Sequence, residues 1–150
     1  MTLIYRHALP SDIPACIELR GKTRENAVSI ERLRQLGVTE ASWSAGVASG
    51  DLPGYACLER DRIVGYVFAD KRTGEVVVLA LRPEFEGQGI GKRLLGTIVS
   101  DLAKLGFRRL FLGCSADPKV RSYGFYRHLG WKPTGRLDSN RDEVLELLLL

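Results

Sequence analysis

The sequence has little of what metal or disulfide scaffolds are made from: three cysteines and two histidines in 150 residues. Cys16, Cys57 and Cys114 are odd in number, far apart and form no CxxC pair, which argues against a disulfide framework and against structural zinc. A reduced, cytosolic protein is the simplest expectation. His7 and His128 have no ligand spacing, so no metal is expected. Long apolar runs are missing too. No window approaches the ~18 uninterrupted apolar residues of a membrane-spanning helix, and the longest run, Val144 to Leu150, is broken by Glu146. Thr2-Leu3-Ile4-Tyr5 is cut short by Arg6 and His7, so no secretory signal is expected. Charge of one sign is not massed: 22 Lys+Arg face 18 Asp+Glu, and the net +4 is scattered along the chain. That balance suits an anionic small ligand at least as well as nucleic acid, for which no motif or dense basic face is present. With 45% hydrophobic residues, the chain suits a single globular domain over 1–150.

The pattern along the chain predicts a mixed α/β fold. Residues 3–8 are β-prone and Pro10 ends them; Ser11 is placed to cap a helix carrying Ile13, Ile17 and Leu19 up to Gly21. Ser29 and Thr39 are placed to cap two more helices, the second with Trp43 and Val47 at i,i+4. Residues 55–59 and 63–68 form a predicted hairpin. Val76 to Leu81 is nearly all apolar, as expected of a strand covered on both faces. Leu94, Leu95, Ile98, Val99, Leu102 and Leu105 recur at helical spacing, and Gly106 follows. A strand at 109–112, a helix at 118–129 and a terminal strand at 144–150 complete an order with one strand–helix–strand crossover. The terminal strand could pair across a homodimer or complete the sheet.

The stretch from Leu79 to Arg93 carries the most chemistry. A strand runs into Glu86-Gly87-Gln88-Gly89-Ile90-Gly91, and the best amphipathic helix starts at once. Glycine lets the chain bend sharply and lets a ligand approach without a Cβ in the way. The first amides of a helix lack internal partners and sit at the positive end of its dipole. Lys92 and Arg93 in the first turn oppose that dipole, a conflict that an anion such as phosphate would resolve. Neither common phosphate motif fits: Walker A would need Gly at Glu86 and Ser or Thr at Arg93, and the glycine spacing is not GxGxxG. A glycine loop used only for tight packing is the alternative.

This stretch, together with Gly124-Phe125-Tyr126-Arg127-His128-Leu129-Gly130-Trp131, resembles the GNAT superfamily of N-acetyltransferases, most strongly from Val76 to Thr134. The resemblance implies a GNAT-like central sheet of about six or seven strands flanked by helices, with the crossover carrying a pyrophosphate loop. It implies acetyl-CoA as co-substrate, held by amides of the segment Glu86 to Gly91, with Lys92 and Arg93 adding charge. The strand Leu79, Ala80 and Leu81 would hydrogen-bond the pantetheine arm. The family motif usually begins with Gln or Arg where this chain has Glu86, so the Glu86 side chain is expected to point away while its backbone serves. The family's FYxxxGF signature is matched with Trp131 in the last place, and Tyr126 takes the position of the tyrosine that protonates the departing thiolate.

A phenol is protonated at neutral pH and can donate to a sulfur anion. At ~100° per residue, Phe125 and Leu129 should face the core and Tyr126 its margin, half-buried with a wet hydroxyl. A half-buried structural tyrosine is the alternative, and Tyr123 could stand in. Lys119, Arg121 and Arg127 are candidates for the ribose phosphate. The implied reaction is attack of a primary amine on the thioester, with a strand amide near Ala80–Leu81 for the oxyanion. Glu75, Asp117 and Glu25 are candidate bases. Cys114 has no histidine spaced to activate it and is expected to be a buried apolar side chain. Arg24, Asn26 and Trp43, with the 138–142 loop, are the expected acceptor wall, and Arg20, Lys22 and Arg24 would favour an acceptor bearing a carboxylate or phosphate. Other readings of the same residues are a coenzyme A-binding regulatory module without turnover, an acetyltransferase acting on a protein amine, and a basic nucleic-acid-binding domain.

Overall fold

A computed structural model describes residues 2–23 and 28–149. Among these residues, seven strands form one sheet in the order β1-β2-β3-β4-β5-β7-β6. They are β1 (Ile4–His7), β2 (Gly54–Glu59), β3 (Arg62–Asp70), β4 (Glu75–Leu81), β5 (Arg109–Cys114), β6 (Lys132–Leu137) and β7 (Glu143–Leu148). The helices are α1 (Ile13–Arg20), α2 (Ile30–Gln35), α3 (Glu40–Ser49), α4 (Ile90–Lys104) and α5 (Arg121–His128). No helix among the described residues is long and apolar enough to cross a membrane.

Local chemistry accounts for most of these elements. The Ser29 hydroxyl accepts from the Arg32 amide at 3.1 Å and opens α2; Thr39 does the same for Ser42 and opens α3. Gly37 and Gly50 close them in the left-handed region. Arg60 and Asp61, both at positive φ, turn β2 into β3. The start of α1 differs from expectation. A single 3₁₀ turn covers Pro10–Asp12, and Asp12 rather than Ser11 receives the chain: its carboxylate accepts from the Leu9 amide at 2.7 Å and from both Arg6 guanidinium nitrogens. A carboxylate that can hold β1 and the turn together displaces a serine that reaches neither.

One apolar cluster packs α4 on the sheet, with Leu94, Leu95, Ile98 and Leu102 buried against Val64, Val67, Leu110 and Leu112. Each such side chain contributes about 1.5–3 kcal/mol through removal from water. A second cluster lies on the other face: Ile13, Cys16, Ile17 and Leu19 of α1 against Ala56, Tyr66, Phe68 and Ala80. β7 is interior, paired with β5 on one side and β6 on the other, so the apolar C-terminal strand completes the sheet. β6 is an edge strand that the sequence pattern conceals behind Pro133 and Gly135, and an edge tolerates a proline that a central ladder would not.

The sheet changes character between β4 and β5. They are parallel and pair at one position only, Glu75↔Phe111, with the Phe111 amide donating to the Gly74 carbonyl at 3.2 Å. Beyond it they part. β4 is therefore not covered on both faces as its composition suggests: Val77 is exposed and Val78, Leu79 and Leu81 are half-buried along the opening.

Candidate active site

The parting of β4 from β5 leaves one edge of β4 without a strand partner. The Arg82 amide donates to Val64 of β3 at 2.9 Å, so by alternation the amides of Leu79 and Leu81 point to the open side. Ala80 points its side chain into the second cluster. Just past Leu81, Pro83–Phe85 makes a 3₁₀ turn and the glycine segment begins.

The three glycines do two different jobs. Gly87 and Gly89 have φ of 77° and 83°, and an added Cβ at either would meet no heavy atom within 4 Å. They bend the chain around open space. Gly91 is buried, and a Cβ there would lie 3.5 Å from Leu81 and from Phe125; it is the packing glycine. Gly89 is the N-cap of α4 and has no side chain to cap it; the Arg93 amide makes the bond to the Gly89 carbonyl at 3.1 Å, leaving the amides of Ile90, Gly91 and Lys92 ahead of it. Gln88 folds its side chain back to the Glu84 carbonyl at 3.4 Å.

The charged residues around this loop are arranged differently from the sequence expectation. Lys92 is exposed and lines a groove of about 390 Å³ with Arg121, Gly124, Phe125, His128 and Leu129. Arg93 instead holds its guanidinium 3.8 Å above the Tyr5 ring of β1. The Glu86 carboxylate faces Arg121 at 3.6 Å, and its amide already donates to the Pro83 carbonyl, so that donor is engaged within the protein. Arg127 pairs with Glu143 and stacks on Tyr123 at 3.6 Å, which occupies both residues. The Lys119 amide donates to the Asp117 carboxylate at 3.0 Å, a turn contact that engages this candidate base.

Tyr126 is more deeply placed than its helix phase suggests. It is buried, edge-on to Phe125 and Trp131, while Phe125 and Leu129 line the groove and are only partly buried. The helix is rotated so that the i,i+4 pair faces the α4 N-terminus. Among the described residues the Tyr126 hydroxyl makes no hydrogen bond. Burial pushes its phenol up, Cys114 adds to this, and Arg20 opposes it. The group therefore stays protonated at neutral pH.

Cys114 is buried and free, and burial raises its thiol, as fits an apolar packing role. Glu75 stands at the single β4–β5 bridge, where burial, then Asp70 and Asp138, raise its carboxyl. Trp43 packs edge-on against Phe68 at 5.3 Å and serves the second cluster. Arg24, Glu25 and Asn26 lie outside the described residues.

A sheet parted beside a glycine loop, with a helix that no side chain caps, sets two rows of main-chain amides at one opening. The acetyltransferase (GNAT) family matches residues 14–131, and the chain belongs to that family. The amino-acid acetyltransferase of Pseudomonas putida is 25% identical over 137 residues, covering 88% of this chain and 28% of that protein. The mycothiol acetyltransferase of Streptomyces coelicolor is 35% identical over 86 residues, or 54% of this chain and 28% of the relative. The chain thus spans just over a quarter of the length of these curated relatives. Among solved structures, the PaiA N-acetyltransferase from Thermoplasma acidophilum, in complex with coenzyme A, superposes with a TM-score of 0.80 over 99% of both chains at 18% identity, a likeness of fold.

Proposed function

We propose that this chain transfers the acetyl group of acetyl-CoA to the primary amine of a small molecule, with Tyr126 as general acid. The observation that carries the reading is the continuity of two open rows of amides. Leu79 and Leu81 on the free edge of β4 lead directly to the amides around Gly87–Lys92. The space beside Gly87 and Gly89 leaves room for a diphosphate, because no atom of the described residues lies within 4 Å of a Cβ added at either, and the helix dipole favours an anion there. Lys92 adds a full charge at the groove between α4 and α5.

When bound, the thioester supplies the acyl group and a thiol leaving group. The β4 edge orients it as an added strand would, and the Leu79 or Leu81 amide stabilises charge on the acyl oxygen. Tyr126, protonated and without an acceptor among the described residues, gives its proton to the leaving sulfur. The acetyltransferase names of the curated relatives support this reading.

The test is Tyr126→Phe, assayed by acetyl-CoA-dependent thiol release across a panel of amines, beside calorimetric binding of coenzyme A. Loss of the acid should slow transfer by ~10²–10⁴ at unchanged coenzyme A affinity. Unchanged transfer removes Tyr126 from the reaction. A wild-type chain that binds coenzyme A and acetylates no amine is a binding module instead.

A further inference from the structure

We propose that Asp142, in the turn between β6 and β7, is the base that deprotonates the incoming acceptor ammonium; this rests on the acetyl-transfer reading above. Its position follows from the two faces of the sheet. Leu110, Leu112 and Cys114 of β5 pack with α4, so Phe111 and Gly113 point to the opposite face. An added Cβ on Gly113 would stand 2.4 Å from the Asp138 carboxylate and 3.6 Å from the Asp142 Cβ. The 138–142 turn is therefore seated on β5, beside its parting from β4 and across the sheet from α4.

Within that turn the two aspartates have different employment. The Asp138 carboxylate accepts from the amides of Asn140 and Asp142 at 2.8 and 3.0 Å, and the Asp138 amide donates to the Asp142 carbonyl at 2.9 Å. Asp138 holds the turn. The Asp142 carboxylate is half-buried, yet among the described residues it accepts no hydrogen bond and joins no ion pair. Asp138 faces it from its own turn, Cys114 from β5 and Arg20 from α1, with the Arg127–Glu143 pair alongside and Glu75 of β4 beside Asp138.

Arg20 ends α1. Its charge opposes a larger effect of burial at Asp142, at the Tyr126 phenol and at the phenol of Tyr66. Tyr126 belongs to the cluster around α4 and Tyr66 to the cluster around α1. The Tyr66 hydroxyl is fully buried and among the described residues has no hydrogen-bond partner, an unmet polar group on the α1 face of the sheet. Asp142 thus stands beside the opening, on the face of the sheet away from α4. Glu75 is at the closed end of the opening, where the strands are still bonded.

The proton balance is complete without a further reactant. The ammonium gives one proton to Asp142, which passes it to water. Arg20 eases that loss, because a neighbouring positive charge disfavours an ammonium. The neutral nitrogen forms the C–N bond, the C–S bond breaks, and sulfur takes the Tyr126 proton. The second nitrogen proton leaves to water, and the tyrosinate recovers one from water. Burial, then Asp138, raises the Asp142 carboxyl, which strengthens it as a base.

The experiment compares two acceptors in the full chain with acetyl-CoA: the best alkylamine of the panel, which arrives protonated, and hydroxylamine, which arrives neutral near pH 7. Asp142→Asn should lower kcat/KM for the alkylamine by about a hundredfold or more, lower hydroxylamine transfer far less, and retain coenzyme A binding. Asp142→Glu, which keeps a carboxylate, should recover part of the alkylamine rate and move the acidic limb of its pH profile. Equal losses for both acceptors, or an alkylamine profile with no acidic limb in wild type and Asp142→Glu alike, overturn the assignment. A wild-type chain inert toward every amine overturns the transfer reading and this assignment with it.

Discussion

Replacing Gly89 by alanine separates the loop's service to the ligand from its service to the fold. Gly89 caps α4 at φ 83°, where an L-residue pays a steric penalty but here meets no neighbouring atom. The cost is then conformational, about 1–2 kcal/mol, and in a chain of this length it lowers Tm by roughly 2–8 °C. Gly96 offers the compensation. It lies exposed inside α4 with nothing within 4 Å of an added Cβ, so Gly96→Ala should return ~0.5–1 kcal/mol. The double variant Gly89→Ala/Gly96→Ala should melt close to wild type. If the Gly87–Lys92 amides cradle the phosphates as proposed, its coenzyme A affinity should still fall, because the new methyl would occupy the concavity and disturb one of those bonds; loss of one such bond is worth roughly ten- to a hundredfold in Kd. Melting curves and titration calorimetry on the four proteins decide it. A double variant that binds coenzyme A as wild type does would show that the Gly87–Lys92 amides are not the anion cradle.

Two further outcomes follow from the scaffold. The Arg6 hydrogen bonds, against an opposing burial effect, hold the Asp12 carboxyl below its ordinary range; this contribution is present above the unfolded carboxylate value and disappears as pH falls through the lower folded one. Asp12→Ala should therefore cost about 1–3 kcal/mol near neutrality, with the difference from wild type shrinking in acid unfolding curves; a pH-independent difference would refute the linkage. Gly54→Ala places a Cβ 2.2 Å from the Phe68 ring and 2.5 Å from the Val67 carbonyl. Overpacking there should destabilise by about 1–3 kcal/mol in urea unfolding, and a neutral result would mean that β2 can retreat from β3.

What the sequence reveals and hides follows from the range of the forces involved. α4 is readable because its apolar stripe is set by neighbours within two turns, and Ser29 and Thr39 because a cap acts over three residues. The glycine turn is readable for the same reason. Arg93 is not: its guanidinium is oriented by Tyr5, a residue of the opposite end of the chain. The Tyr126 environment depends on where α5 settles against α4, which helix phase alone does not fix. Asp142 leaves no local signal, because its place beside the opening depends on the 138–142 turn resting on Gly113 and on β7 lying between β5 and β6, contacts made across long stretches of chain.

The single rung at Glu75–Phe111 makes the sheet two blades on one hinge, four strands on one side and three on the other. Above that hinge, α4 and the apolar layer beneath it pack on both blades. A guest lying along the β4 edge would stitch main chain to one blade while pressing its flank on the other. The β4 edge is in this sense a ladder with its last rungs unmade, and the carbonyls of such a guest would make them.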